Sequence, residues 1–397
     1  MKVLQITAFS GSSSTGKIAQ GISELLMERG HEAAVAWGRL NNSQSEVPTI
    51  QIGTKKDYLF HGLYARLTDR NGFASKHATK ELIKKIEQYE PDIIHLHILH
   101  GYYINIEILF TYLKEKNIPV VWTFHDEWAF TGHCPCFRQV KCDKWKSECH
   151  HCIQRKEHPV SLFADRSRKN FRDKKKLFTG VDKLVIAAPS MWMKSMVKES
   201  FFKECDVRVI HNGIDTSCFK PTESSIKERL GIADKKMVLG VSSTWVDAKG
   251  FKDFQRLPDY LGEEYQVVLV GVSGKQKKEL PSEIIGIERT DSARELAELY
   301  TAAEVFCNLT YDDNYPTTNL EAVACGTPVI TYETGGSVEI VKETGYGMVI
   351  PCGDVKAAAD AVCKIGNMPR KTDGFQNVEQ KECYEEYVKL YEELLKK

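Results

Sequence analysis

The run Asp312-Asp313-Asn314-Tyr315-Pro316-Thr317-Thr318-Asn319-Leu320-Glu321-Ala322, continued by Cys325-Gly326-Thr327-Pro328-Val329-Ile330, decides how the chain is read. Two carboxylates, Asp313 and Glu321, stand eight positions apart, with a Tyr-Pro turn and two threonines between them. Proline is tolerated just before a helix or in its first turn, and threonine or asparagine there can cap exposed amides. Such a helix start binds phosphate through its N–H groups and the positive end of its dipole. A carboxylate two turns on can accept hydrogen bonds from sugar hydroxyls. The stretch reads as a pocket for a phosphorylated, hydroxyl-rich ligand. The plainer reading is a loop entering an amphipathic helix, with Glu321 on its wet face.

On either side of this stretch, short β-branched runs alternate with longer helical patterns, which predicts parallel sheets covered by helices. The first series of strands is expected at Val3–Ile6, Ala33–Trp37, Ile93–Ile98, Val120–Phe124, Leu184–Ala187 and Val207–Ile210. The second is expected at Val238–Val241, Val267–Val270, Val305–Leu309, Val329–Thr331 and Met348–Ile350. Between the series lies His211-Asn212-Gly213-Ile214-Asp215, then Phe219-Lys220-Pro221, a turn leading into a polar link. A chain of 397 residues exceeds what one core holds, so two domains are expected, 1–215 and 216–375. A charged amphipathic helix follows over 376–397, with Tyr384, Tyr387, Leu390, Tyr391 and Leu394 at helical spacing.

Lysines and arginines number 54, as do aspartates and glutamates, and this balance argues against a nucleic-acid partner. The opening residues carry no signal-peptide pattern, and no run is long enough for a membrane span. Twelve cysteines then point to reduced thiols in a cytoplasmic protein.

The loop after the first strand, Gly11-Ser12-Ser13-Ser14-Thr15-Gly16-Lys17-Ile18, follows P-loop spacing until its last position. Ile18 stands where a P-loop needs a hydroxyl for magnesium. What remains is a glycine that allows close backbone approach and a helix over about Lys17–Arg29. Lys249, in Ser242-Ser243-Thr244-Trp245-Val246-Asp247-Ala248-Lys249-Gly250-Phe251, is a fixed cation suited to charge developing on a leaving phosphate. No Asp-x-Asp magnesium site stands in a suitable loop. His95 and His97 fall on one face near the end of their strand, where open α/β sheets bind ligands. His125 follows the next strand within Thr123-Phe124-His125-Asp126-Glu127-Trp128.

Taken together and in order, these segments resemble the retaining glycosyltransferases of family 4. Asp313 to Glu321 is similar to their E-x7-E signature, with aspartate for the first glutamate. Lys249-Gly250 resembles their diphosphate-binding K-G, Thr123 to Asp126 their T-x-H-D, and Asn212 to Asp215 with Phe219-Lys220-Pro221 their interdomain link. The resemblance implies an α/β GT-B architecture of two Rossmann-like domains facing each other across a cleft, with the tail returning to the first domain. It implies a nucleotide-diphosphate sugar donor held by Gly16, Lys17, Lys249, Arg289, Tyr315, Pro316, Thr317, Thr318, Asn319 and Glu321. Arg289 is included as a substitute for the arginine that many members carry at the position of Thr244. His125, Lys249, Asp313 and Glu321 would serve catalysis and His97 the acceptor, a saccharide or lipid-linked saccharide, in surface polysaccharide biosynthesis without a catalytic cofactor. A nucleotide-sugar epimerase and a non-catalytic sugar-nucleotide binder are the competing readings, the second motivated by Asp313 and Thr244.

Two features stand apart. The stretch 132–153 is an expected insertion, similar to one found in some family members, in which Cys149-x2-Cys152 has zinc-knuckle spacing. Cys134 and Cys142 would complete a structural zinc site, with Cys136, His133, His150 and His151 as replacements and unliganded thiols or disulfides as the alternative. Over 166–178, Arg166, Arg168, Lys169, Arg172, Lys174, Lys175 and Lys176 crowd a helix with some apolar character. That helix suits contact with anionic lipid at the inner membrane face or, equally, a solvated surface.

Overall fold

The computed structural model describes residues 1–11, 13–39, 46–365 and 378–396. Ser12, the expected border at 375/376 and Lys397 lie outside them. The chain divides into two compact units: Met1–His211 with the C-terminal residues from Tyr384, and Asn212–Cys383.

The first unit holds a seven-stranded sheet: β1 (Lys2–Thr7), β2 (Glu32–Trp37), β3 (Thr49–Gln51), β4 (Ile93–Leu96), β5 (Val120–Thr123), β6 (Leu184–Ala188) and β7 (Asp206–Val209). Their order is β3-β2-β1-β4-β5-β6-β7 and every pairing is parallel. The second unit repeats the plan with β8 (Lys236–Val241), β9 (Tyr265–Val270), β10 (Ile284–Ile287), β11 (Val305–Asn308), β12 (Val329–Tyr332) and β13 (Gly347–Ile350), ordered β10-β9-β8-β11-β12-β13. Both are doubly wound Rossmann-like sheets.

The apolar runs explain why. Alternate residues of one strand serve opposite faces of the sheet. Leu4, Ile6, Ile94, Leu96, Val120 and Trp122 enter one core, while Val3, Ile93, Val121 and Val185 enter another. In the second unit Val238, Val267, Leu269 and Val305 face one core and Met237, Leu239, Val268 and Phe306 the other. Two strands were not foreseen. β3 is three residues long at the sheet edge, and β10 is four residues long and contains Gly286. The strand expected through Ile98 ends at Leu96, so His97 lies just past it.

The helix Gln380–Leu395 completes the first unit's second core, where Tyr384, Tyr387, Tyr391 and Leu394 pack with Val3, Ile22, Ile93 and Val121. The expected polar link is paired rather than loose. The amide of Ile214 bonds to the carbonyl of Val378 at 2.8 Å, and the amide of Gln380 bonds back to Ile214 at 2.8 Å.

Candidate active site

Ligands of doubly wound sheets bind beyond the carboxyl ends of the strands, at the point where strand order reverses. That point is β1/β4 in the first unit and β8/β11 in the second. Gly16 follows β1, His97 follows β4, Lys249 follows β8 and Asp313 follows β11.

In the second unit the loop after β8 tightens into a turn at Asp247–Lys249 and ends on Gly250, whose φ is +74°. A Cβ at Gly250 would come 2.1 Å from the carbonyl oxygen of Leu309, so only glycine lets the turn lie against the end of β11. The amide of Tyr311 bonds to the Ala248 carbonyl at 2.8 Å. Lys249 is thereby carried to the signature stretch. Its Nζ lies 2.7 Å from Asp313 Oδ2 and 3.3 Å from the Asp312 carbonyl. Both members of the pair keep part of their surface, 35% for Lys249 and 24% for Asp313.

The helix Thr317–Ala324 begins after Pro316, which occupies the capping position. Sequence reasoning expected a threonine or asparagine cap. No side chain caps this end, because Pro316 has no polar group to offer there, and Asn319, inside the first turn, faces inward to accept from Asn308 Nδ2 at 2.8 Å. Tyr315 is also buried, its hydroxyl 3.3 Å from Glu343 Oε2. The partly exposed side chains at this helix start are therefore those of Thr317 and Thr318. Glu321 accepts a 2.9 Å hydrogen bond from Tyr300, whose hydroxyl is held strongly protonated, first by burial and then by the Glu321 charge. Arg289 lies on an exposed loop beyond β10, two strands away from β8.

In the first unit the expected helix after the opening loop begins earlier, at Ser14, capped by Ser13, whose hydroxyl accepts from the Gly16 amide at 3.1 Å. A Cβ at Gly16 would lie 2.9 Å from the Phe9 carbonyl. Lys17 is exposed, and Ile18 is buried in the core, where a magnesium-binding hydroxyl would have to be.

The histidines form a chain that sequence reasoning did not anticipate. His125 Nε2 is 3.0 Å from His97 Nδ1, and His97 Nε2 is 2.7 Å from Gln5 Oε1. Gln5 Nε2 donates to the Tyr391 hydroxyl at 3.5 Å, which lies 2.6 Å from His95 Nδ1. His95 Nε2 is 2.7 Å from Thr123 Oγ1, which donates to Tyr387. With Thr123 donating, neutral rings leave one consistent direction. His95 donates to Thr123, Tyr391 to His95, Gln5 to Tyr391, His97 to Gln5, and His125 to His97. His125 then carries its proton on Nε2 and leaves Nδ1 to accept. Burial depresses all three imidazoles, His125 to about 4, against an opposing pull from Asp126. Asp126 itself binds His100 Nε2 at 2.6 Å and the Trp128 amide at 2.9 Å. Burial would raise its carboxyl, and these partners hold it low. One signal for the chain was available: Gln5 is a polar residue inside an apolar strand.

The cysteine-rich insertion folds beside this site. Cys134 and Cys152 are hydrogen-bonded to each other, and Cys149 neighbours Cys142. A zinc tetrahedron at ~2.3 Å per bond brings its sulfurs within roughly 4 Å of each other. Among the described residues, no three of Cys134, Cys142, Cys149 and Cys152 have sulfurs within 4.8 Å of one another. The four as placed do not fit a zinc site, and all are free thiols.

The basic stretch also differs from expectation. The helix Ser167–Phe178 buries Lys174, whose Nζ donates to the carbonyls of Trp128 and Thr131 at 2.8 and 3.2 Å. Burial lowers that lysine to about 7, opposed by the nearby thiols of Cys149 and Cys134. Arg168 and Arg172 pair with Glu148, and Lys169 with Asp173. Most of the helix's charge is therefore engaged, which does not favour it as a lipid-binding face.

Residues 16–217 match the family described as Glycosyltransferase Family 4, and residues 222–381 match Glycosyl transferases group 1. The chain is 24% identical over 265 residues to WcaC of Escherichia coli K12, named for colanic acid biosynthesis as a glycosyl transferase. That match spans 64% of this chain and 63% of the relative. It is 29% identical over 182 residues to the D-inositol 3-phosphate glycosyltransferase of Corynebacterium jeikeium, spanning 41% and 43%. The chain thus matches less than two thirds of either relative's length. Among solved structures, sucrose-phosphate synthase of Thermosynechococcus elongatus superposes with a TM-score of 0.71 at 16% identity, covering 99% of both chains. Anabaena HepE, solved in complex with UDP and glucose, gives 0.67 at 14% identity, covering 99% of this chain and 100% of that one. These likenesses assign the GT-B fold. With more than half of its length matched by the family's own profile, the chain belongs to Glycosyltransferase Family 4.

Proposed function

We propose that this protein is a retaining glycosyltransferase that moves a sugar from a nucleotide-diphosphate sugar to a saccharide or lipid-linked saccharide in surface polysaccharide assembly. The observation that carries the reading is the Lys249–Asp313 pair at the β8/β11 reversal point, in the same stretch as the uncapped helix start at Thr317. The Lys249 ammonium and that helix end supply positive charge for a departing diphosphate, so no metal is needed in the step. Glu321, steadied by Tyr300, holds the ribose hydroxyls, and Asp313 takes the transferred sugar. His125 receives a sugar hydroxyl at Nδ1 and acts as an orienting contact, not a nucleophile. The WcaC relative supports the polysaccharide setting, and the UDP bound in HepE supports a nucleotide donor.

The test is calorimetric titration of UDP, GDP, dTDP and ADP, with and without magnesium, into the wild type and Glu321→Ala. One nucleotide should bind without magnesium and be lost in the variant. Folded protein that binds none of them overturns the donor site. Turnover of the matching donor without any acceptor, giving an isomerised sugar nucleotide, would instead assign an epimerase.

A further inference from the structure

The helix Lys55–Thr68 is built inside out. It turns His61, Gly62 and Ala65 toward the body of the first unit, where His61 bonds to Ser75 at 2.8 Å and accepts from the Gly72 amide at 3.1 Å. Its large apolar side chains, Leu59, Phe60, Leu63 and Leu67, point to solvent. The amide of Leu162 bonds to the carbonyl of Arg66 at 2.8 Å, which sets Leu162 and Phe163 at the end of the same helix. All six are between 45% and 73% exposed. They make up half of the twelve large apolar side chains exposed among the described residues, and the other six are scattered along the chain. A helix normally hides such residues, and a contiguous exposed patch marks a contact surface.

The charge around the patch says what kind of contact. Lys55, Lys56, Arg66, Arg155, Lys156 and Arg166 adjoin it in sequence, against Asp57, Glu157 and Asp165. Asp57 is engaged by Thr54 in the helix cap, and Asp165 accepts from the amides of Cys152 and Ser167. Among the described residues, none of the six cations has a carboxylate within 4.0 Å, unlike Arg168, Lys169 and Arg172 of the helix Ser167–Phe178. In a chain of balanced overall charge this is a local excess of positive charge. A two-fold contact between copies would set the six cations of one copy against those of the other. Apolar side chains rimmed by lysine and arginine suit the headgroup boundary of an anionic bilayer.

We propose that the outer face of Lys55–Thr68, with Leu162 and Phe163, docks the first unit onto an anionic lipid surface. The proposal does not depend on the donor reading, because it is tested without nucleotide or acceptor. Full-length protein would be floated with phosphatidylcholine vesicles and with vesicles also containing phosphatidylglycerol, at low and high salt. The wild type should partition onto the anionic vesicles, less so in high salt. The double variant Phe60→Ser/Leu63→Ser should partition at least about tenfold less while keeping its unfolding midpoint. Lys55→Glu/Lys56→Glu should weaken binding, and Met191→Ser, which removes an exposed apolar group elsewhere, should not. Absence of partitioning by the wild type, or equal partitioning by the double variant, overturns the proposal. So does light scattering that shows a wild-type dimer dissolved by Phe60→Ser/Leu63→Ser, which would make the face a self-association surface.

Discussion

The first unit places His95, His97, Gln5, Thr123, Tyr387 and Tyr391 where each satisfies another, buried and uncharged, and only His125 at the end of the chain reaches partial exposure. The second unit does the opposite. Lys249 and Asp313 are charged and half-buried, and they meet beside a helix start that no side chain caps. A polar group that is fully satisfied in the interior fixes geometry, whereas a charged pair in contact with water can exchange partners with an incoming ligand. On the proposed function the two regions would divide orientation from charge stabilisation, and each half of that division can be broken separately.

The largest effect is expected in the second unit. Lys249→Ala should lower kcat by about 10²–10³-fold with nucleotide affinity less affected, the size expected for a group that acts on developing charge. Steady-state kinetics on the matched donor decide it, and an unchanged kcat would remove Lys249 from the chemistry. Next, Glu321→Gln should weaken nucleotide binding by roughly tenfold or more, as for a lost hydrogen bond to a charged group. Calorimetry at constant unfolding midpoint is the check.

A pair of tyrosines sharpens the contrast. Tyr391→Phe removes the partner of buried His95 and should cost about 1–3 kcal/mol in urea unfolding. Tyr300→Phe should cost less, because water can reach partly exposed Glu321, and should act mainly on nucleotide affinity. Equal stability losses would erase the proposed difference between the regions. The gentlest probe is pH. His61 is depressed to about 3, and His95 and His97 also fall below their usual 6.5. Below that value the unfolded chain binds protons that the folded chain refuses, so stability is complete above pH 6.5 and declines as pH falls. The slope should approach about 1.4 kcal/mol per pH unit for each such histidine. Urea midpoints that stay flat on acidification would contradict buried neutral rings.

Much of this was legible in the chain. The continuous apolar strands announced parallel sheets because both faces had to be covered, and the spacing from Asp313 to Glu321 located the charged loop and the helix start. Other features depended on tertiary neighbours. Lys174 falls at helical spacing between Phe171 and Phe178, on the side that faces the core, yet its charge suggested a surface. A threonine or asparagine cap was expected before the helix Thr317–Ala324, yet the capping position falls to Pro316. The cysteine spacing suited a metal, but the sulfurs meet as neighbours without converging on one centre. The inverted helix Lys55–Thr68 was not legible in the chain, because periodicity reveals that an apolar stripe exists, not which way it points.

The distance along the chain between Gln5 and Tyr391 has a consequence for biogenesis. The opening strand meets its hydroxyl partner 386 residues later, so during synthesis the first unit leaves the ribosome with that core open. Synthesis must pass Tyr391 before His95 gains its donor and the helix Gln380–Leu395 seals the sheet. Closure across such a separation is expected to be a late and slow step of folding. Ribosomes stalled before Gln380 would leave a nascent chain with an exposed apolar face, a natural substrate for chaperones and proteases.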